Sequence, residues 1–204
     1  MSDKFQQNST DKNKTDGPLI EDFMGLSPEI SDTAFIAASA VISGAVRIGD
    51  DCSIWHNVTL RGDANYITVG DGTNIQDNSC VHIDSAQYPT IIGRHVTIGH
   101  SAIIHACTLG DYSFVGMGAI VMDGAVVEQG AMVAAGAMVT PGKVVPTGEL
   151  WSGRPAKKMR DLTDKEQDGL KTSALRYIEF GRAYRLGEAG GPYHYFTPRP
   201  LPPK

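Results

Sequence analysis

Three histidines, His82, His100 and His105, have the residue type and spacing to bind a metal ion. Each lies in or beside a run of aliphatic residues that recur every six positions. Counting in sixes places His82 and His105 directly above one another and turns His100 to a different side. Two stacked imidazoles about 4.8 Å apart can share one ion, because metal–nitrogen bonds are roughly 2.0–2.1 Å long. The third histidine is not expected to reach that ion within one chain.

A neighbouring copy of the chain is the predicted source of the third ligand. If three copies pack around a threefold axis, the face that carries His82 and His105 meets the face of the next chain that carries His100. Three neutral histidines and one open position are typical of a catalytic zinc site rather than a structural one. A metal held in this way binds water and lowers its pKa.

The six-residue spacing predicts the fold that must position these histidines. Six residues fit neither the period of an α-helix nor simple alternation, and instead fit a short strand followed by a corner. The pattern resembles the hexapeptide-repeat, left-handed parallel β-helix, in which three hexapeptides form one triangular coil. That resemblance implies a mainly β fold of about six coils, and the left hand comes from the resemblance alone. The aliphatic anchors are Ile36, Ile42, Ile48, Ile54, Leu60, Val69, Ile75, Val81, Ile92, Ile98, Ile104, Leu109, Val115, Val121, Val127, Val133, Val139 and Val145.

Two breaks in the repeat predict loops that project from corners. Leu60 and Val69 are nine positions apart instead of six, which leaves three extra residues. Val81 and Ile92 are eleven positions apart, which leaves five. The second loop directly follows His82. Loops on a rigid scaffold often carry function, so this loop is expected to border the metal site.

Stacking the coils predicts two outward-facing columns of polar side chains. The residue after an inward-pointing anchor points outward, and equivalent positions of successive coils lie about 4.8 Å apart. One predicted column contains Arg61, His82 and His105. The second predicted column, on a neighbouring face and next to Gln76, contains His56, Asp77 and His100.

Composition limits which classes of partner and which cellular compartment are expected. The net charge of −5 argues against a nucleic-acid or anionic-membrane partner, and no apolar run reaches the length of a membrane span. The cysteines Cys52, Cys80 and Cys107 are odd in number and widely spaced, which predicts no disulfide framework. The expected compartment is therefore the cytoplasm.

The chain divides into four predicted segments. Residues 1–25 are polar and are expected to be a disordered leader, and residues 26–155 form the β-helix. Residues 156–186 are assigned to a C-terminal helix packed on the β-helix, and the helix itself is expected from about residue 164, after a capping box of Thr163 and Glu166. Residues 187–204 are rich in Gly and Pro and are expected to lack regular structure.

The strings around the histidines resemble the gamma-class carbonic anhydrase family over about residues 34–184. The matching strings are Arg61-Gly-Asp63, Ile75-Gln-Asp-Asn78, the His82 segment and Gly99-His-Ser-Ala-Ile-Ile-His-Ala-Cys107. The resemblance implies a homotrimer with metal sites at the subunit interfaces. It implies metal-dependent, reversible hydration of CO2 to bicarbonate by a metal-bound hydroxide. The implied ion is Zn²⁺, with Fe²⁺ and Co²⁺ as alternatives, bound by His82, His100 and His105.

The resemblance also implies roles for residues around the metal. Arg61 and Asp63 would form an intersubunit ion pair beside the site. Gln76 would hydrogen-bond to the metal-bound water, and Asp77 would help to position CO2 or bicarbonate. From the C-terminal helix, Tyr177 is the expected catalytic residue that leans over the cleft, with Tyr184 as the alternative.

The sequence differs from the archetypal enzyme of the family at the residues that transfer the proton to solvent. The archetype has a glutamate directly after Arg-Gly-Asp, where this chain has Ala64, and a longer acidic loop after the first histidine that carries a glutamate proton shuttle. Asp84 and His56 are the candidates to replace the shuttle. Cys107 lies near the site and is expected to be an inert small residue.

Three other functions remain open on the sequence alone. The same metal site could serve an acyl-CoA thioesterase. A hexapeptide acyltransferase would use a lone histidine with coenzyme A in the cleft between subunits. A non-catalytic structural subunit would keep the scaffold, although retention of all three histidines counts against it.

Overall fold

The computed structural model describes residues 17–187, which form twenty β-strands followed by one α-helix. Most strands are two or three residues long, because each occupies one side of a coil before the chain turns a corner. The strands are β1 (Leu19–Glu21), β2 (Glu29–Ile30), β3 (Phe35–Ile36), β4 (Val41–Ile48), β5 (Ser53–Ile54), β6 (Thr59–Val69), β7 (Asn74–Ile75), β8 (Cys80–His82), β9 (Thr90–Ile92), β10 (Thr97–Ile98), β11 (Ile103–His105), β12 (Thr108–Leu109), β13 (Phe114–Val115), β14 (Ile120–Val121), β15 (Val126–Val127), β16 (Met132–Val133), β17 (Met138–Val139), β18 (Val144–Val145), β19 (Glu149–Ser152) and β20 (Lys157–Asp161). The helix α1 spans Asp164–Leu186.

Pairing between strands that are not consecutive in sequence shows how the coils stack. One side is an 8-stranded sheet in the order β20-β19-β16-β13-β10-β7-β5-β3. The other two sides form a 12-stranded sheet, because β4 and β6 continue around a corner and pair with strands on both sides. The result is a parallel β-helix of about seven turns.

The aliphatic anchors fill the interior of the coils. Seventeen of the eighteen predicted anchors are buried, and Ile36 is partly buried against them. Ile54 pairs in register with Ile75, and Ile75 pairs with Ile98, so anchors of successive coils lie directly above one another. Each fully buried aliphatic side chain stabilises the fold by about 1.5–3 kcal/mol. The predicted fold class, mainly β with a parallel β-helix of hexapeptide repeats and a C-terminal α-helix, is confirmed.

The β-helix begins earlier in the chain than the sequence analysis expected. Strand β1 lies within the predicted disordered leader of residues 1–25, yet it pairs in parallel with β4, and Ile30 of β2 pairs with Ile48. The reason is visible in the repeat, because Ile30 lies six residues before Ile36 and extends the pattern by one step. This first turn accounts for the difference from the predicted six coils. Residues 1–16 lie outside the described residues.

The first insertion is a bulge inside β6 rather than a separate loop. Gly44 of β4 pairs with Gly62, but Val46 pairs with Ile67, so the four residues 63–66 of β6 lie opposite Ala45 alone, three more than regular pairing would place there. Gly44 has a φ of 76°, and a Cβ at this position would lie 2.3 Å from the Gly62 carbonyl oxygen. A glycine is therefore required at this close approach of the two coils.

The segment assigned to the C-terminal helix begins with a strand. Strand β20 pairs antiparallel with β19 and ends the 8-stranded sheet. All five of its residues are exposed, and its sequence lacks the aliphatic spacing that identified the other strands. The helix starts only at Asp164, as the capping box predicted. Residues 188–204, which make up all but the first residue of the predicted tail, lie outside the described residues.

Helix α1 is fixed at its first turn by the predicted capping box. The Thr163 hydroxyl accepts a hydrogen bond from the backbone N–H of Glu166, and the Glu166 carboxylate accepts one from the backbone N–H of Thr163. Arg160 forms a two-pronged ion pair with the same carboxylate at 2.8 Å. These interactions lower the pKa of Glu166 to about 2, with the Arg160 hydrogen bond as the largest cause.

The apolar side of α1 packs on the side of the β-helix that contains β3, β5, β7 and β10. Leu170, Ala174 and Ile178 are buried in this contact. Gly181 allows the closest approach, because a Cβ there would lie 3.1 Å from the Cβ of Ser53. Within residues 17–187, no helix has the length and apolarity needed to cross a membrane.

Candidate metal centre

The structure places His82 and His105 side by side on adjacent strands. His105 of β11 pairs in register with His82 of β8, which in turn pairs with Arg61 of β6, so the predicted column is confirmed. The two imidazole centroids are 5.2 Å apart. The nitrogens that face each other are Nδ1 of His82 and Nε2 of His105, at 3.2 Å. The pairing of β8 with β11 thus brings together two nitrogens that could bind the same metal ion.

Each of these two histidines has a carboxylate on its other nitrogen. His82 Nε2 lies 3.2 Å from Asp63 Oδ1, and His105 Nδ1 lies 2.5 Å from Asp123 Oδ1. A carboxylate accepts a hydrogen bond from a neutral imidazole N–H and so selects the tautomer. The lone pairs are then left on the two nitrogens that face each other, which is the arrangement found around bound metals.

Partial burial favours the neutral form of His82. Desolvation is the largest cause that lowers its pKa below the ordinary value of 6.5, and the Arg61 guanidinium and His105 lower it further. The hydrogen bond with Asp63 opposes this shift without reversing it. For Asp63 itself, desolvation raises the pKa, but the His82 hydrogen bond and Arg61 together outweigh it, so the carboxyl remains ionised. A neutral imidazole is the form that binds a metal.

The spacing of the two free nitrogens fits a metal ion. With metal–nitrogen bonds of roughly 2.0–2.1 Å, two ligand atoms 3.2 Å apart subtend an angle of about 100° at the ion. This value is close to the tetrahedral angle of about 109° that zinc prefers. His82 and His105 could therefore hold a zinc-sized cation without rearrangement of the backbone.

His100 lies on a different side of the β-helix, as its position in the repeat predicted. Its Nδ1 is 2.9 Å from Asp77 Oδ2, which leaves Nε2 as the nitrogen free to bind a metal. His100, Asp77 and His56 line one cavity, as expected for members of the second predicted column. Within residues 17–187 of a single chain, no three His, Cys, Asp or Glu side chains converge on one point that could hold a metal ion.

The cavity next to His100 is roofed by aromatic residues of α1. It has a volume of about 320 Å³ and is lined by Trp55, His56, Asp77, His100, Tyr177, Phe180 and Tyr184. Tyr177 and Tyr184 both meet the Trp55 ring nearly edge-on, with centroids 5.8 and 5.1 Å away. Burial, followed by the nearby Asp77 charge, raises the pKa of Tyr177. Both tyrosines named in the sequence analysis therefore border the cavity, and Tyr177 is the more buried of the two.

Gln76, which precedes the cavity residue Asp77, belongs to a chain of buried polar side chains. Gln76 is buried, and its Nε2 donates to Asn74 Oδ1 at 3.1 Å. Asn74 in turn donates to Thr97 Oγ1 at 2.9 Å. The orientation of the Gln76 amide is thereby set, with its nitrogen towards Asn74. Sequence analysis identified Gln76 but missed Asn74, although Asn74 directly precedes the matching string that contains Gln76.

Family models for hexapeptide repeats match two parts of the chain. One, described as bacterial transferase hexapeptide (six repeats), matches residues 27–62. The other, described as hexapeptide repeat of succinyl-transferase, matches residues 89–123 and 108–141. Both matches lie within the β-helix.

Curated relatives decide between the families that share this fold. The chain is 52% identical over 150 residues to a probable carbonic anhydrase of Methanocaldococcus jannaschii, and the match covers 74% of this chain and 94% of that protein. The chain belongs to the gamma carbonic anhydrase family. It is also 48% identical over 168 residues to gamma carbonic anhydrase 1, mitochondrial, of Arabidopsis thaliana. That match covers 80% of this chain but only 61% of the plant protein, so the chain spans about three fifths of that relative's length.

A solved structure of similar sequence has the same architecture. A hexapeptide transferase family protein from Anaplasma phagocytophilum has a TM-score of 0.79 and 54% sequence identity. The match covers 81% of this chain and 98% of that one.

In this member of the gamma carbonic anhydrase family, Arg61 and Asp63 lie next to each other within the single chain, and their contact across a subunit interface stays a prediction. The two side chains form an ion pair within one chain, and Asp63 also contacts His82. Asp63 lies in the bulge of β6, two residues after Arg61. Asp123, the carboxylate partner of His105, was missed by sequence analysis. The signal that could have found it was its spacing, since it follows His105 by 18 residues, close to one full coil.

The structure also places Cys107 and the two residues considered for proton transfer, Asp84 and His56. The Cys107 thiol is buried, which raises its pKa to about 12, as expected for an inert residue. Asp84 accepts hydrogen bonds from the backbone N–H groups of Ala86 and Gln87, and these hydrogen bonds lower its pKa. His56 Nδ1 is 3.3 Å from Ser39 Oγ, and the imidazole is exposed at the cavity.

Proposed function

We propose that this protein is a metal-dependent carbonic anhydrase that interconverts CO2 and bicarbonate. The observation that carries the proposal is the pair of facing nitrogens on His82 and His105, 3.2 Å apart, with a carboxylate on the far nitrogen of each ring. The names of the relatives support the same reaction. The proposed ion is Zn²⁺, with Fe²⁺ and Co²⁺ as alternatives. When bound, the metal supplies a Lewis acid that lowers the pKa of a coordinated water.

The proposed site lies between subunits of a homotrimer. His82 and His105 belong to one chain, and His100 belongs to the next. The structure of the single chain supports this arrangement in one respect. His100 lies on a different side of the β-helix, and because Asp77 contacts its Nδ1, its Nε2 is left to bind a metal. Closed threefold symmetry brings two different faces of identical chains together and repeats the site three times.

The proposed roles of the surrounding residues follow from their contacts. The Gln76 amide nitrogen is engaged by Asn74, so its carbonyl oxygen is the group that can accept a hydrogen bond from a water or from the hydroxyl of bicarbonate. Arg61 is half exposed beside Asp63 and can attract the bicarbonate anion. The aromatic rings around Tyr177 exclude water from one side of the cavity, which favours binding of apolar CO2.

Proton transfer to solvent is proposed to use His56 rather than Asp84. A proton acceptor must be able to take up and release a proton near neutral pH. The lowered pKa of Asp84, caused by its backbone hydrogen bonds, makes that carboxylate a poor acceptor. His56 borders the same cavity as His100 and is exposed to solvent on its other side.

Metal analysis and a rate measurement on the same sample test the proposed function. Protein purified without oxygen is assayed for bound zinc, iron and cobalt, and its CO2 hydration is measured by stopped flow. The proposal predicts metal in the wild type and none in His105→Ala, with CO2 hydration only in the metal-loaded wild type. A wild-type rate no higher than that of His105→Ala rejects the proposal.

A metal-free acyl transfer is the second candidate function. It is favoured by the similarity to the solved protein from Anaplasma phagocytophilum, which is described as a hexapeptide transferase family protein. The cavity of about 320 Å³ is also larger than CO2 requires. Binding of coenzyme A by protein that contains no metal, with no CO2 hydration, is the result that would favour this candidate.

A further inference from the structure

The backbone at Asp123, at the corner that follows β14, is hydrogen-bonded to the neighbouring coils. Its Oδ1 lies 2.5 Å from Nδ1 of His105. Its own carbonyl accepts a hydrogen bond from the backbone N–H of Gly142 at 2.9 Å, and the N–H of the next residue, Gly124, donates to the carbonyl of Ala106 at 2.7 Å. The corner that carries the carboxylate is therefore bonded to the coils on both sides of it. A carboxylate on a backbone anchored in this way can hold one imidazole in one orientation.

The backbone around the two histidines is tied together as well. The Thr90 hydroxyl donates to the carbonyl of His82 and accepts from the N–H of Ala106, which directly follows His105. The N–H of Ala106 also donates to the carbonyl of His82 at 3.0 Å. The main chain at the two rings is thus set by hydrogen bonds, so the remaining freedom of His105 is the rotation and tautomer of its side chain. Asp123 is the described group that contacts the outer nitrogen of this ring.

The choice of tautomer decides whether the pair can bind a metal. If Nδ1 of His105 carries the proton, the lone pair of Nε2 faces Nδ1 of His82. If Nε2 carried the proton, that N–H would hydrogen-bond to Nδ1 of His82 at the observed 3.2 Å and occupy the position of the ion. A carboxylate next to Nδ1 favours the first tautomer by accepting its N–H.

We propose that Asp123 is a positioning residue for the metal site, which keeps the proton of His105 on Nδ1 and thereby presents Nε2 to the ion. The inference rests on the proposed metal-dependent function, and it assigns a residue and a donor atom that the function by itself does not require. It also assigns different donor nitrogens to the two rings, Nδ1 in His82 and Nε2 in His105. Loss of such a carboxylate partner weakens metal binding by roughly 10–100-fold.

The test uses the intact assembled protein and three variants. Asp123→Ala removes the acceptor, Asp123→Asn keeps an acceptor oxygen and removes the charge, and Asp168→Ala is a control on the exposed side of α1. The Zn²⁺ affinity of each is measured by competition with a chelator. The tautomer of His105 is measured separately in metal-free protein by NMR of histidine labelled with ¹⁵N. Neither measurement depends on catalytic activity.

The expected result is a loss of Zn²⁺ affinity of about 10–100-fold in Asp123→Ala, a smaller loss in Asp123→Asn and no change in Asp168→Ala. In metal-free wild type the proton of His105 is expected on Nδ1, and in Asp123→Ala the other tautomer is expected to appear. If the wild type binds Zn²⁺ and Asp123→Ala has the same affinity and the same His105 tautomer, the role of Asp123 is overturned and the proposed metal site is not. A wild type that does not bind Zn²⁺ overturns the proposed metal site, and the positioning role falls with it.

Discussion

The imidazoles of His82 and His105 lie on adjacent strands, yet the nitrogens that face each other are different atoms of the two rings. Nδ1 of His82 is 3.2 Å from Nε2 of His105, and the outer nitrogens contact Asp63 and Asp123. The register of the β-helix brings the rings together, and the two carboxylates determine which atoms are free to bind. This relationship makes the pair suitable for binding a cation.

Zinc is expected to stabilise the protein only when both rings are present. A ligand that binds the folded state alone raises the free energy of unfolding by about 2.7 kcal/mol at a concentration 100 times its dissociation constant. We expect added Zn²⁺ to raise the melting temperature of the wild type and to leave that of His82→Ala unchanged. Thermal unfolding with and without a chelator measures the effect. Equal shifts in the two proteins would show that zinc binds elsewhere.

The close approach of the coils at Gly44 gives a prediction about stability. Gly44→Ala combines a positive φ with a Cβ that would lie 2.3 Å from a backbone oxygen. Gly136→Ala is the matched control, because Gly136 has a φ of 69° and a Cβ there would have no atom within 4 Å. The control is expected to cost about 1 kcal/mol from its backbone conformation. Gly44→Ala is expected to cost at least about 2 kcal/mol more, because the coils must separate.

Chemical denaturation of both glycine variants measures this difference. Equal losses in the free energy of unfolding would mean that the contact between Gly44 and Gly62 does not restrict the structure.

The sequence predicted the interior of the fold because the β-helix repeats one rule at every coil. Anchors such as Ile98 and Val121 could be placed from spacing alone, and both are fully buried. The rule failed where local pairing replaced the repeat. Strand β20 is held by antiparallel pairing with β19 and by ion pairs of Lys158, and neither leaves a six-residue signature.

The parts of the candidate site that depend on strand register could be predicted from the sequence. The stacking of His82 on His105 follows directly from counting in sixes. The contacts of Asp63 and Asp123 do not, because both carboxylates lie at irregular points of the repeat. Asp63 lies in the bulge of β6, and Asp123 follows the point where the anchors Ile104 and Leu109 are five positions apart instead of six. Their positions depend on how the corners fold, which spacing does not describe.

The capping box predicts how stability depends on pH. The pKa of Glu166 is about 2 in the folded protein against 4.5 as its ordinary value, mainly because of Arg160. A carboxyl with a lowered folded pKa stabilises the protein fully above its unfolded pKa and loses this contribution as the pH falls through its folded pKa. We expect the stability difference between wild type and Glu166→Gln to be present at pH 7 and to shrink between pH 4.5 and about 2.

Thermal unfolding at several pH values below 7 measures this dependence, with Asp168→Asn on the same helix as the control. A Glu166→Gln difference that stayed constant down to about pH 2 would contradict the assignment of the low pKa to the folded state.

Proton transfer gives a prediction about the rate of CO2 hydration. His56→Ala is expected to lower kcat at low buffer concentration and to leave kcat/KM nearly unchanged, because only the release of the proton is affected. Added imidazole is expected to restore kcat. Asp84→Asn is the matched comparison and is expected to retain kcat, since Asp84 is engaged by backbone N–H groups. A loss of kcat in Asp84→Asn that imidazole restores, with no loss in His56→Ala, would reverse the assignment.

The shared site is the central claim, and mixed assemblies test it most directly. One variant, His100→Ala, keeps only the paired histidines, and the other, His82→Ala with His105→Ala, keeps only the third. Neither variant alone should bind Zn²⁺. In randomly mixed trimers from a one-to-one mixture, each mixed trimer contains one complete interface, so about one quarter of the wild-type sites should return. Zinc bound per trimer, measured by native mass spectrometry, is predicted to show this recovery, and mixed trimers that bind no zinc would contradict the account.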